Sequence, residues 1–159
     1  MSILVFLHVV TGLLGIAAGL VVVVGAFCRR TLARWNALFL STTAAACATG
    51  FAYFPIDGMT SAQAVALFTA ALLVVAAYAR YARRLGGGWS QVYVGSAVAA
   101  LFLNVLIATT QSFQHVRTLQ ALAPTQRSPL YVSLKVALLA VFIALAIVLV
   151  RREGRRTDN

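Results

Sequence analysis

Residues 3–28 read ILVFLHVVTGLLGIAAGLVVVVGAFC, without one formally charged side chain. A helix needs roughly 20 mainly apolar residues to cross a hydrocarbon core about 30 Å thick, and this stretch exceeds that. Its apolarity runs round every face, unlike the single stripe of a soluble amphipathic helix. The leading Met1-Ser2-Ile3-Leu4 lacks the positive region of a secretory signal, and the apolar run is longer than a signal's. A lipoprotein reading of Gly25-Ala26-Phe27-Cys28 fails on the bulky Phe27. The segment is expected to stay as a helix.

Four further stretches read the same way, giving expected spans at 3–28, 36–54, 62–79, 89–113 and 130–150. Between them lie turn residues: Phe54-Pro55-Ile56-Asp57-Gly58, Gly86-Gly87-Gly88, and Ala123-Pro124 with Ser128-Pro129. The whole chain of 159 residues is 62% hydrophobic and 10% charged, against about 45–50% and about 25% in soluble domains. Disorder is excluded by the same numbers. The expectation is an all-α membrane protein: one five-transmembrane-helix bundle over 1–150 with a basic tail over 151–159.

The formal charge of +10 belongs to topology. Arg29, Arg30 and Arg34 follow the first span, Arg80, Arg83 and Arg84 the third, and Arg151, Arg152, Arg155 and Arg156 the fifth. Five crossings put these on one side and leave Arg117, Arg127 and Lys135 towards the other. Basic residues accumulate in short cytoplasmic loops, so the N-terminus is expected outside and the C-terminus cytoplasmic, facing anionic headgroups. Nucleic-acid binding would need aromatics interleaved with this charge on a wet surface, and no nucleic-acid partner is expected.

Cys28 falls at the inner face and Cys47 lies ~16 Å into the second span, too far apart for the ~7 Å limit of a disulfide. Both read as small packing residues. Gly15-Ile16-Ala17-Ala18-Gly19 is a GxxxG, and residues 41–50, STTAAACATG, are all small. Such faces let helix backbones approach closely. They predict the first helix packed on the second, with self-association as the rival use. Arg34-Trp35 and Arg83-Arg84 before Trp89 form a weak internal echo, and interfacial Trp is ordinary anchoring.

Intramembrane polar residues are the functional pointers. No Asp or Glu lies in a span, which leaves carboxylate-driven proton pumping and paired-carboxylate hydrolysis unsupported. Asn104, Gln111 and His115 recur at helical spacing on one stripe, with Thr110 and Gln114 as a second edge. His8 lies ~31 Å above Arg29, and His115 ~39 Å from Trp89, so both histidines reach the outer interface. Lys135 sits about 8 Å inward of Leu130, placed either to snorkel to headgroups or to meet an anion or Asp57. Asn104 makes an interhelical hydrogen bond or lines a cavity. Together His8, Asn104, Gln111, His115 and Lys135 form a candidate polar pocket. His8 with His115 is also a candidate axial pair for haem b. A zinc site adding Asp57 is weaker, with three ligands at best.

Thr49-Gly50-Phe51-Ala52-Tyr53-Phe54-Pro55 with Gly58-Met59-Thr60 resembles a helix end and outer loop of uncharacterised small integral-membrane proteins of bacteria, frequently proteobacterial. Leu103-Asn104-Val105, Gln111-Ser112-Phe113 and 119–125 carry the same resemblance. It implies a multi-pass protein of the bacterial inner membrane and brings no activity with it. Three functions stay open. The first is a non-enzymatic accessory or small-solute-handling module, alone or with a second copy or another membrane subunit. The second is a haem-binding electron carrier, and the third a membrane enzyme acting on a lipid or quinone through His115.

The charge distribution makes a direct prediction. In a Cys28→Ser, Cys47→Ala background, an impermeant thiol reagent applied outside the cell should modify Ser128→Cys and leave Thr157→Cys untouched. The reverse pattern would invert the topology.

Overall fold

The computed structural model describes residues 3–30, 32–53 and 60–157. It is all-helical, with no strand among the described residues. The elements are α1 (Ile3–Phe27), α2 (Ala33–Tyr53), α3 (Ser61–Ala77, continued by a π-helical turn at Tyr78–Ala82), α4 (Trp89–His115), the short α5 (Arg117–Leu122) and α6 (Pro129–Thr157). The expected turn at 54–58, Asp57 and the zinc and Lys135 pairings that use Asp57 lie outside the described residues.

Among the described residues, four helices are long and apolar enough to cross a membrane: α1, α3 with its π turn, α4 and α6. Over its 21 residues α2 has the length but falls short on apolarity. Asn36, Ser41, Thr42, Thr43 and Thr49 lower it. Several of these hydroxyls donate to carbonyls one turn earlier, Thr42 to Leu38 at 2.6 Å and Thr49 to Ala45 at 2.8 Å. That satisfies them within the helix itself.

Local chemistry sets the helix ends. α1 closes in a Schellman motif: the Arg30 amide bonds the Gly25 carbonyl at 2.8 Å and the Arg29 amide the Ala26 carbonyl at 3.2 Å. The left-handed residue is Arg29, at φ 56°, where glycine is usual. α3 opens with a capping box, Gln63 N–H to Thr60 Oγ1 at 3.2 Å and Thr60 N–H to Gln63 Oε1 at 2.9 Å. α6 carries its helix to Thr157, so much of the expected tail is helical.

α1 packs on α2, α2 on α3, α3 on α4 and α4 on α1, which closes a four-helix ring. α6 lies outside it on α4. Only 6% of the α6 span is buried, against 33% for α1 and 39% for α4, and Val136, Val141 and Ile143 are exposed along it. The core gathers Ala18, Phe39, Leu73, Ala97, Val98 and Leu101.

The ring rests on two glycines. A Cβ on Gly15 would come within 2.8 Å of Thr43 Oγ1 and 2.9 Å of Asn104 Nδ2; one on Gly19 would come within 2.7 Å of Leu101 Cδ1 and 2.9 Å of the Phe39 ring. The GxxxG therefore packs within the chain, against α2 and α4 together. Its partner on α2 is not uniformly small, because Gly19 faces Phe39. Gly12 has nothing within 4 Å.

Gly15→Leu and Gly19→Leu are each expected to cost about 1–3 kcal/mol by overpacking, seen as a lower thermal midpoint in detergent. Gly12→Leu should leave it unchanged. Unchanged midpoints with loss of a dimer would show that the motif acts between chains.

Candidate functional site

The two ends of the ring hold different cavities. At the end away from Arg29, Arg30 and Arg80, a cavity of about 50 Å³ lies between α1, α2, α3 and α4, lined by His8, Cys47, Gln63, Asn104 and Gln111 among others. One water needs roughly 10–15 Å³, so this space suits a few waters or a very small solute. Among the described residues, no formally charged one lines it.

His8 is the best-defined group there. Its Nδ1 lies 3.0 Å from the Ala46 carbonyl and 3.3 Å from Thr49 Oγ1. A carbonyl only accepts, so Nδ1 carries a hydrogen, and in the Nδ1–H tautomer Nε2 is the acceptor. The ring lies against Gly50, where a Cβ would sit 3.2 Å from Cε1. Asn104 Nδ2 donates across the ring to Thr43 Oγ1 at 3.3 Å. Asn104 therefore both ties α4 to α2 and lines the cavity.

The remaining polar candidates separate. His115 is exposed and outside the lining, its Nε2 3.0 Å from Gln111 Oε1. Lys135 stands on α6 with Nζ 4.4 Å from the centre of the Tyr131 ring. Tyr131 in turn donates to Thr110 Oγ1 at 3.0 Å. Thr110 and Gln114 line another cavity, of about 100 Å³, beneath the α5–α6 connection. Of the five expected pocket residues, His8, Asn104 and Gln111 come together between α1, α2, α3 and α4, while His115 and Lys135 lie outside that lining, Lys135 on α6, which packs mainly on α4. His8 and His115 do not line a common cavity.

At the basic end lies a cavity of about 70 Å³ that the sequence reading did not single out. Arg29, Arg30 and Arg80 line it with Glu153, Asn36 and Tyr93. Tyr93 Oη donates to Asn36 Oδ1, and Asn36 Nδ2 donates to the Leu32 carbonyl at 2.6 Å. The Arg80 guanidinium lies 5.4 Å from the Tyr93 ring centre. This chain of contacts links α2, α4 and the π turn of α3. The backbone is unusual here: π turns occur often at functional sites. Leu85, another lining residue, is left-handed at φ 59°, a conformation that costs about 1–3 kcal/mol in a non-glycine residue. Asn36 is as polar an intruder in an apolar stretch as Asn104, and that signal was available in the sequence.

No family model, curated protein or solved structure matches the chain.

The Asn36–Tyr93 pair is open to a double-mutant cycle. Asn36→Ala and Tyr93→Phe should be non-additive in detergent unfolding by about 0.6 kcal/mol, up to about 1.7. Strict additivity would remove this link from the account.

Proposed function

We propose that the chain is a non-enzymatic module of the bacterial inner membrane that handles a small, neutral, hydrogen-bonding solute in the cavity at His8. On this reading it crosses the bilayer five times, N-terminus outside and arginine-rich end cytoplasmic. A fifth crossing by α2 is supported by its hydroxyls donating to its own carbonyls and by its place between α1 and α3. The orientation is supported by one cavity holding Arg29, Arg30 and Arg80 together, which gathers the basic loops at one end.

The observation that carries the solute reading is the His8–Ala46 bond. It fixes the tautomer that leaves Nε2 as an acceptor, and the Asn104 and Gln111 amides line the same cavity. The described donors and acceptors carry no fixed charge, which suits a neutral solute, because an ion would lose its hydration among them. An amide- or urea-sized molecule matches the volume.

Cys47 lines the cavity and supplies a native reporter. In a Cys28→Ser background in proteoliposomes, a small uncharged methanethiosulfonate should label Cys47. Urea or acetamide should slow that labelling several-fold, and His8→Phe should abolish the protection. Labelling that neither solute slows would overturn the proposal.

A further inference from the structure

Side-chain amides of Gln63, Asn104 and Gln111 line the cavity beside His8. An amide can bond from either end, so what it offers a solute depends on which end the protein has already used. Asn104 meets the Thr43 hydroxyl and Gln111 the His115 ring, and both of those partners can donate or accept. Gln63 is different. Its oxygen takes the Thr60 backbone N–H at 2.9 Å and the Thr60 hydroxyl at 3.2 Å. A backbone N–H only donates, so the oxygen end is fixed there and the nitrogen end is left over.

Gln63 is 8% exposed, and its Nε2 makes no bond among the described residues. No fully buried side-chain nitrogen or oxygen among them lacks a partner, so this nitrogen keeps some open surface. The open space that Gln63 borders is the cavity. His8 is set in the same manner with the opposite sign. Its Nδ1 gives a hydrogen to the Ala46 carbonyl at 3.0 Å, and in that tautomer Nε2 accepts. The α3 side of the cavity therefore offers an N–H donor and the α1 side a lone pair.

Waters can answer the two groups singly, whereas a solute that displaces them must match both at once. Gln63 asks for a carbonyl oxygen and His8 for an N–H. A primary carboxamide carries the two on one carbon, and a ketone of the same shape carries only the first. We propose that the cavity selects a primary carboxamide, Gln63 Nε2 donating to its carbonyl oxygen and His8 Nε2 accepting one of its amide hydrogens. This rests on the reading of the cavity as a site for a neutral solute, and it makes Gln63 and His8 the residues that choose the solute.

Acetamide and acetone share shape and carbonyl and differ only in an amino group against a methyl. Each is titrated against Cys47 labelling by a small uncharged methanethiosulfonate, in Cys28→Ser proteoliposomes. Acetone should need about five- to ten-fold more than acetamide for equal protection. Gln63→Met removes the donor, and because both solutes carry a carbonyl it should weaken both about five-fold. It also removes the helix cap, so Thr60→Ala is the control: it loses the cap hydroxyl and keeps the backbone N–H on the Gln63 oxygen. Thr60→Ala should lower the thermal midpoint and protect as the parent does. His8→Phe should erase the preference for acetamide.

Equal protection by acetone and acetamide in the parent overturns the carboxamide assignment and leaves the neutral-solute reading standing. No protection by either removes that reading and this proposal with it. Parent-like protection in Gln63→Met, or its loss in Thr60→Ala to the same extent, overturns the part given to Gln63. The comparison in the parent needs no variant, so it decides the assignment even where a variant does not fold.

Discussion

The closeness of α1 to α2 and α4 at Gly15 and Gly19 governs the rest of the structure. Without a drive to hide apolar surface from lipid, helices associate through packing and hydrogen bonds. Here the missing Cβ atoms let Thr43, Asn104, Phe39 and Leu101 occupy the space beside the α1 backbone. That contact fixes both the depth and the rotation of α1. One consequence lies above it, where His8 meets the Ala46 carbonyl. Another lies below, where Gly25 admits Leu32 within 2.8 Å of where its Cβ would be and the chain turns back into α2.

The polar groups of the interior are dealt with in two ways. Most hydroxyls on α2 and α4 bond carbonyls of their own helix, as Thr109 does with Val105 at 2.8 Å and Ser112 with Ala108 at 2.8 Å. Asn36, Asn104 and His8 instead reach across to another helix or to the chain before their own. Among the described residues no buried side-chain nitrogen or oxygen lacks a partner. The cross-helix bonds border the two cavities, so the same side chains that hold the ring together also shape its openings.

Much of this was legible in the sequence. Apolar runs long enough to cross a bilayer gave the helices to within a few residues, since continuous hydrophobicity is a strong signal. The Gly15–Gly19 spacing correctly gave an intramolecular contact of α1. What it did not give was the second partner, α4, because a small-residue face names no opposite number. The stripe of Asn104, Gln111 and His115 was real on the helix, but the stripe alone does not say where a helix stops being covered. Asn104 and Gln111 line the cavity, and His115 lies beyond its edge. Lys135 was assigned by height, and height along a membrane normal says nothing of position around the bundle. The cavity at Arg29, Arg30 and Arg80 went unread because those arginines already had a use as topology signals. Its geometry also depends on a π turn and left-handed residues without glycine. The capping box at Thr60 and Gln63 carries the T-x-x-Q pattern and was open to reading.

α6 is attached mainly through α4. The four-helix ring makes its cross-helix polar bonds without it, and α6 adds Leu149 to the core and Tyr131 to the α4 wall. It is also last in chain order, so it meets a neighbour that synthesis has already completed. The bundle is in this sense a closed scaffold with a late-docking arm. Its one broad seam is with α4, so the close contacts that shut the ring at Gly15 and Gly19 are made without it.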